Sequence, residues 1–368
     1  MKKNLHVAFF GSSLVSAYWN GAATYYRGIL KELNAIGYRC TFYEPDAYGR
    51  QQHRDIENPD YAESVVYSAD QAGVDSALKK ASEADVIVKT SGVGAFDEYL
   101  EEAVLQYKDS NRTVVFWDVD APATLDRIKN DPQDKFGKLV SSYDVIFTYG
   151  GGDPVVKEYE RQGARVCIPV YNALDPSTHF PVGSDGRFEG TLGFLGNRLP
   201  DREARVHEFF FEAARVLESK LFVLGGNGWE KDAPDYKNIR KVGHVYTTDH
   251  NAFNCSTLVT LNINRQSMAQ YGFSPPTRIF EAAGAGACII TDAWEGIGMF
   301  LEPGKECFVA GSGREVADII SQLDINQAKK TGLAARERIL SEHTYRRRAL
   351  TVDRILTSCK SKHEEVVS

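Results

Sequence analysis

The stretch that decides the fold runs from Ser274 to Asp292 and reads SPPTRIFEAAGAGACIITD. A polar loop stiffened by two prolines leads into a short helix that ends in small residues, and an apolar strand follows. Arg278 and Glu281 are three residues apart, so they share one face of the helix near its N-terminus. Helix N-termini attract phosphate, and a carboxylate beside one can hold ribose hydroxyls. The stretch therefore predicts a pocket for a nucleoside diphosphate.

Outside this stretch, short apolar runs that end in glycine or small polar residues alternate with helical patterns. Residues 23–36 and 201–218 have the spacing of helices, and the polar segment 45–76 is predicted to be a loop with short helices. The alternation predicts an α/β fold of two doubly wound, Rossmann-like domains that face each other across a cleft. The predicted strands are 6–10, 39–43, 85–89, 113–117, 144–148, 165–169, 191–195, 221–224, 241–242, 258–263 and 288–291.

The domain boundaries follow from one stretch of different composition. Residues 173–189 are rich in proline, aspartate, serine and glycine and have no clear period, which is typical of a linker. We therefore predict an N-terminal domain over 1–172, a C-terminal domain over 190–340 and a basic C-terminal helix over 341–368.

Composition excludes several classes of protein. The 368 residues carry a formal net charge of −7, which argues against a general nucleic-acid binder or a binder of anionic membranes. No apolar run approaches the length of a membrane span. The six cysteines include no C-x-x-C pair, so a structural zinc site is unsupported and a reducing, cytoplasmic location is expected. The sequence carries no signal for the oligomeric state.

Three segments resemble bacterial glycosyltransferases of the GT-B fold, of the group-1 type related to spore-maturation (CgeB-like) enzymes. They are residues 20–27 (NGAATYYR), 193–198 (GFLGNR) and 274–292. The resemblance implies that the C-terminal domain binds a nucleotide-sugar donor, most commonly a UDP-sugar, and that the N-terminal domain binds an acceptor. It also implies that the last helix packs back on the N-terminal domain. The acceptor stays open, and no cofactor is expected.

The resemblance assigns roles around the donor. Glu281 matches the acid that holds the ribose hydroxyls. Gly196 and Asn197 match the loop that approaches the diphosphate, and Arg198 and Arg202 stand where related enzymes carry an arginine and a lysine that stabilise the leaving group. An ion pair of Arg202 with Asp201 or Glu203 is the alternative.

Further donor contacts are predicted on neighbouring segments. Arg265 follows an apolar strand, so its side chain is expected to reach the phosphates. Arg278 either neutralises a phosphate or pairs with Asp292 or Glu295. The candidate binding set is completed by Gly225, His244, Ser274 and Thr277. His244 belongs to a segment whose backbone contacts the base in the family, and its side chain is expected to be structural.

One position departs from the family. Many members that retain the sugar's anomeric configuration carry a second glutamate eight residues before the ribose-binding acid, where it touches the donor sugar. Here that position is Phe273. The stereochemical outcome of transfer is therefore left open.

Transfer to a hydroxyl needs a base near the attacking oxygen. Asp118 and Asp120, at the end of a predicted central strand, are the candidates. Asp120 is alternatively a helix cap, because a proline follows two residues later. The loops predicted to border the acceptor or the donor phosphates contain Gly11, Ser12, Asn20, Gly21, Gly150 and Gly151.

Two other functions fit the same residues. A nucleotide-sugar epimerase could use Asp118 and Asp120 as its acid and base, and a binding protein could sense a nucleotide sugar without turnover. A phosphorylase would need a pyridoxal lysine, which the sequence does not reveal. No pair of acids is typical of a dedicated metal site, so metal-independent transfer is predicted, with the four arginines and helix N-termini stabilising the departing diphosphate.

Overall fold

The computed structural model describes residues 5–18, 20–231 and 233–367. They form two compact units, each built around one sheet. One unit holds the described residues up to Tyr171 together with the helix that begins at Tyr345, and the other is Asn172–Thr344. The predicted boundaries of the two domains and of the linker over 173–189 stay predictions.

The first unit contains a sheet of seven parallel strands in the order β3-β2-β1-β4-β5-β6-β7. The order reverses beside β1, as in other doubly wound sheets. All side chains of β1, β4, β5 and β6 are buried, because helices cover both faces of such a sheet. The strands are β1 His6–Phe10, β2 Arg39–Asp46, β3 Glu63–Ser68, β4 Val86–Thr90, β5 Thr113–Asp118, β6 Val145–Thr148 and β7 Cys167–Pro169.

In the described part of the unit, six α-helices connect these strands. They are α1 Ala23–Ala35, α2 Gln71–Ala81, α3 Asp97–Ala103, α4 Ala121–Asn130, α5 Lys135–Leu139 and α6 Gly152–Arg161. The prediction of a loop over 45–76 was wrong in part, because this segment contains the end of β2, all of β3 and the beginning of α2. As an edge strand, β3 exposes polar side chains, so it lacks the apolar run that marks a central strand.

The second unit contains a sheet of six parallel strands in the order β10-β9-β8-β11-β12-β13. Two parallel sheets with connecting helices confirm the predicted α/β fold class. The strands are β8 Gly190–Leu195, β9 Phe222–Gly225, β10 Ile239–Gly243, β11 Thr257–Asn262, β12 Ile289–Asp292 and β13 Phe308–Ala310. The helices are α7 Pro200–Val206, α8 Glu212–Val216, α9 His250–Ser256, α10 Gln266–Tyr271, α11 Thr277–Gly284, α12 Gly313–Gln322 and α13 Ile325–Glu342. A π-helical turn, His207–Phe211, joins α7 to α8, so the predicted helix over 201–218 is present with a local widening.

The last helix, α14 Tyr345–Val367, packs on α1. A methyl group on Gly28 of α1 would lie 2.4 Å from the Tyr345 ring, so only glycine allows this close approach. Tyr38 donates a hydrogen bond to the Asp353 carboxylate at 2.7 Å. These contacts fix the beginning of α14 against the first unit.

Two expectations concern the chain as a whole. Across the described ranges, no helix is both long and apolar enough to cross a membrane. None of the six cysteines, all within those ranges, forms a disulfide, and Cys40, Cys167, Cys288 and Cys307 are buried.

Candidate functional site

Two glycine-containing loops lie side by side at the carboxyl ends of β8 and β9. The Gly196 amide donates to the Gly225 carbonyl at 2.9 Å, and the Asn227 amide donates to the Asn197 side-chain oxygen at 2.9 Å. Gly226 has a φ of +116°, and a methyl group there would lie 2.3 Å from the Gly196 carbonyl oxygen. Gly226, which follows the predicted Gly225 in the same glycine loop, therefore lets the two loops meet.

Gly196 also makes room for an arginine. A methyl group at Gly196 would lie 2.7 Å from Nη2 of Arg202, so a larger residue would displace the guanidinium. Nη2 of Arg202 donates to the Asn197 carbonyl at 2.6 Å, and the guanidinium lies 5.5 Å from the centre of the Phe194 ring. Its buried Nε has no hydrogen-bond partner among the described residues.

A second guanidinium shares the same aromatic ring. Arg278 of α11 lies 5.6 Å from the centre of Phe194. In the described part of the chain, neither Arg202 nor Arg278 pairs with a carboxylate. The acids that were the alternative partners are engaged elsewhere: Asp201 pairs with Arg265 at 2.8 Å, Glu203 with Arg198 at 2.6 Å, and Asp292 with Arg205 at 2.5 Å. The alternative of an ion pair for Arg202 was therefore wrong, and so was Asp292 as a partner of Arg278.

These uncompensated charges are costly in the folded protein. Burial, together with repulsion from Arg278 and Arg265, lowers the pKa of Arg202 to about 10. Burial also lowers the pKa of Arg278, against the attraction of Glu281. A partly buried cation without a directly paired carboxylate is unfavourable, and a bound anion would relieve the cost. The two guanidiniums on Phe194 concentrate positive charge at one place, and we call them the arginine pair.

The N-terminus of α11 adds hydrogen-bond donors to this region. Pro276 is the N-cap, no side chain caps the helix, and its first turn contains no acid. Uncapped first-turn amides and the helix dipole favour an anion. The Thr277 hydroxyl is already engaged, because it accepts a bond from Asn172 Nδ2 at 2.6 Å. Ser274, two residues before the cap, is buried.

The residue that replaces the second family acid sits in a constrained loop. Phe273 has a φ of +45°, unusual for a residue with a side chain, and its amide donates to the Glu295 carbonyl at 2.6 Å. A methyl group on the neighbouring Gly272 would lie 3.5 Å from Oε2 of Glu295. The loop thus brings the Glu295 carboxylate, rather than one at position 273, beside this turn.

Glu281 lies one turn beyond Arg278 on α11, as its spacing predicts, and it has two histidine neighbours. Its Oε1 is 3.8 Å from Nε2 of His179, and ligand atoms of Glu281, His179 and His250 all lie within 4.8 Å of one another. Burial lowers the pKa of His250 against the attraction of Glu281, and Arg278 and His179 lower it further. The sequence did not reveal these histidines, because His179 falls in the segment interpreted as a linker and His250 has no distinctive spacing to Glu281.

His244 lies at the exposed edge of the same unit. Its ring is perpendicular to Tyr246 at 4.6 Å, and its Nδ1 is 3.4 Å from Nδ2 of Asn227. It therefore contacts the glycine loops through Asn227. Arg265 affects the arginine pair by electrostatic repulsion of Arg202. Its side chain donates a hydrogen bond to the Asp201 carboxylate.

In the first unit, the two candidate bases are in opposite environments. Asp118 is fully buried and accepts bonds from Ser91 Oγ at 2.7 Å and Tyr159 OH at 2.5 Å. The Asp120 amide and the Thr124 hydroxyl also donate to it. A carboxylate so enclosed favours a structural role. Asp120 is exposed and is the N-cap residue of α4, as the helix-cap alternative predicted, but its side chain makes no capping bond.

The predicted acceptor loops are held by a local network. Ser12 Oγ donates to Asn20 Oδ1 at 2.8 Å, and Asn20 Nδ2 donates to the Ser13 carbonyl at 2.8 Å. A methyl group on Gly11 would lie 2.4 Å from the Phe42 ring, whereas one on Gly21 would meet open space. The buried Gly150 and Gly151, which has a φ of +89°, lead into α6 at the carboxyl end of β6.

Comparisons with known proteins agree with this fold. Residues 202–354 match the family model described as glycosyl transferase-like. Sucrose-phosphate synthase from Thermosynechococcus elongatus is a similar solved structure, with a TM-score of 0.69 at 13% identity over 98% of this chain and 100% of that one. Anabaena HepE in complex with UDP and glucose gives 0.67 at 13% identity over 96% and 100% of the two chains.

A third similar structure is an α-glucosyltransferase in complex with UDP and a DNA 13-mer, with a TM-score of 0.61 at 12% identity over 96% and 100% of the two chains. A search of curated protein sequences gives no match. Together the solved structures show that this chain has the two-sheet α/β fold of GT-B glycosyltransferases.

Proposed function

We propose that this protein is a glycosyltransferase that moves a sugar from a nucleotide-diphosphate sugar, with UDP as the preferred nucleotide, to an acceptor hydroxyl. The observation that carries the proposal is the arginine pair. Arg202 and Arg278 share the Phe194 ring, lack carboxylate partners in the described chain, and belong to the unit that holds Glu281 on α11. A diphosphate offers the charge that this site needs.

The chemistry of the proposal follows from charge. When the bond between the sugar and the diphosphate breaks, negative charge grows on the leaving phosphate. Guanidiniums and first-turn amides that are already in place stabilise that charge without reorganisation. Because these groups supply positive charge, we propose that transfer needs no metal ion.

The comparisons support this proposal in two ways. The segment that matches the glycosyl transferase-like family contains Arg202, Arg265, Arg278 and Glu281. HepE, which has a similar fold, was solved with UDP and glucose. On the resemblance of the 274–292 stretch, Glu281 would bind the ribose hydroxyls of the donor.

We assign Glu295 as the residue that binds the sugar of the donor. Phe273 has no polar group for a hexose, whereas the Glu295 carboxylate lies beside Gly272, the residue before Phe273. A carboxylate there can accept hydrogen bonds from sugar hydroxyls.

For the acceptor, we assign Asp120 as the general base. It is exposed at the carboxyl end of β5, whereas Asp118 is occupied by four donors. A base of this kind typically contributes about 10²–10⁴-fold to a rate. The free cysteines fit action in a reducing bacterial cytoplasm.

The test is a transfer assay with radiolabelled nucleotide sugars and an acceptor library, in buffer with and without EDTA. We expect transfer from UDP-sugars with EDTA present, and loss of at least about 100-fold of the rate in Asp120→Asn. Formation of an isomeric nucleotide sugar would instead support an epimerase. Tight binding without any product would support a sensor, and either result would overturn the proposal.

A further inference from the structure

Two histidines converge on Glu281 in the second unit, and donor binding does not explain their presence. His179, His250 and Glu281 each offer one possible ligand atom, and the three atoms lie within 4.8 Å of one another. Two imidazoles and one carboxylate form a known ligand set for zinc, with a fourth position left for water.

The buried histidine is the strongest member of this cluster. His179 is only 7% exposed, and its Nε2 has no hydrogen-bond partner within the described chain. That atom lies 3.8 Å from Oε1 of Glu281. An unpartnered nitrogen inside a protein is unfavourable, and a metal ion bonded to its lone pair would satisfy it.

The other nitrogen of the His179 ring already has a partner. Nδ1 of His179 lies 2.9 Å from the Thr178 hydroxyl, and His250 is hydrogen-bonded to the backbone of Val245. Bonds of this kind set the tautomer and the ring orientation of metal-binding histidines. The His179 ring therefore has a partner at Nδ1 and a nitrogen left for a ligand at Nε2.

The fold holds the three residues in place from separate elements. Asn251 at the start of α9 accepts a bond from the Phe180 amide at 3.3 Å and donates to the Thr178 carbonyl at 2.9 Å. This clamp ties the segment containing His179 to the neighbour of His250. Gly284 at the end of α11 lets the same segment approach, since a methyl group there would lie 3.0 Å from the His179 carbonyl oxygen.

We propose that His179, His250 and Glu281 form a binding site for a divalent transition-metal ion of the zinc class. Zinc bonds to nitrogen and oxygen are about 2.0–2.2 Å long, so the ligand atoms need to move together by about 1 Å. Side-chain rotation of His250 and Glu281, which are only partly buried, supplies this movement.

The site has a consequence for the proposed function. Glu281 cannot bind a metal ion and two ribose hydroxyls with the same oxygens, so the metal and the nucleotide compete. Zinc would then inhibit the enzyme rather than serve it. The presence of the metal site itself does not depend on the proposed function, whereas the competition does.

The experiment titrates Co²⁺, as a visible probe for zinc, into the full chain without a polyhistidine tag and without nucleotide. We expect one equivalent to bind, with d–d absorption typical of nitrogen and oxygen ligands, and Zn²⁺ to displace it. His179→Ala and His250→Ala should each weaken binding by at least about tenfold, as for groups that shape a metal site. His207→Ala, which removes a half-exposed histidine of the same unit, is the matched control and should bind as wild type.

Absence of binding to the wild-type protein would overturn the proposal, and so would unchanged binding by both site variants. If the variant of the buried His179 fails to fold, His250→Ala, at a partly buried residue, still tests the site. Addition of UDP then tests the competition separately. Failure of UDP to bind at all would count against the proposed function and not against the metal site.

Discussion

Two groups of charged side chains, one in each unit, are paired in different ways. In the first unit, the fully buried Lys89 pairs with Asp97 at 2.8 Å and lies 3.5 Å from Glu101, which also pairs with Arg127. Lys89 and Arg127 are thus each paired with a carboxylate. In the second unit, Arg202 and Arg278 share an aromatic ring, and neither has a carboxylate partner in the described residues.

This difference in the pairing of cations with carboxylates bears on which ligands the two units bind. The Lys89 network is balanced by acids, whereas Arg50 of the same unit is buried and donates to the Ser12 and Val93 carbonyls rather than to a carboxylate of the described residues. An unbalanced pair of cations is complete only with an anion, so the second unit suits the diphosphate of a donor. The comparison leads to four predictions, ordered by the size of the expected effect.

The largest predicted effect is on the stability of the first unit. Asp118→Ala leaves the buried hydroxyls of Ser91, Thr124 and Tyr159 without their acceptor. We expect a loss of about 3 kcal/mol of stability, or a fall of about 10 °C in the thermal-unfolding midpoint. Scanning calorimetry provides the measurement. Glu102→Ala, on the exposed side of α3, is the control, and an equal midpoint for both variants would show that Asp118 is not structural.

The second predicted effect is on nucleotide binding by the arginine pair of the second unit. Arg202→Met and Arg278→Met should each weaken UDP binding about tenfold, and the double variant about 100-fold, as expected for charged hydrogen bonds to phosphate. Isothermal titration measures the dissociation constants. Arg215→Met removes an exposed arginine paired with Glu212 and should leave them unchanged. Wild-type affinity in the double variant would contradict the assignment.

The third effect separates the ribose from the phosphates. Glu281→Ala should weaken UDP binding at least about tenfold, because a hydrogen bond to a charged group is lost. The 2′-deoxy analogue of UDP should be affected less, since it lacks one of the hydroxyls that Glu281 would hold. Equal losses for both ligands would mean that Glu281 acts on something other than the ribose.

The smallest predicted effect is a gain in thermal stability. Because burial lowers the pKa of Arg278, its charged form is less stable in the folded protein than in the unfolded chain, and removing the charge stabilises the fold. Without nucleotide, Arg278→Met should therefore raise the unfolding midpoint by about 2 °C. A lower midpoint than wild type, with Arg215→Met unchanged, would show that the arginine is structurally compensated.

The sequence predicted the parts of this molecule that depend on local patterns. Strong apolar runs gave β1 and the other central strands, and the spacing of Arg278 and Glu281 placed both on α11. The edge strand β3 lacked such a run and was missed. Pairings between distant residues also lay beyond the sequence: nothing local shows that Asp201 and Glu203 bind other arginines than Arg202, or that Asp118 is enclosed while Asp120 is exposed. The histidines beside Glu281 were missed for the same reason, since the clamp by Asn251 depends on the tertiary fold.

The central claim is that the second unit binds a nucleotide through its diphosphate. The most direct measurement is isothermal titration of the wild-type protein with UDP, UMP and uridine in the presence of EDTA. We expect affinity to rise with each phosphate, with UDP at least about 100-fold tighter than uridine, because the arginine pair and the N-terminus of α11 bind charge. Equal affinities for UDP and uridine would contradict the account.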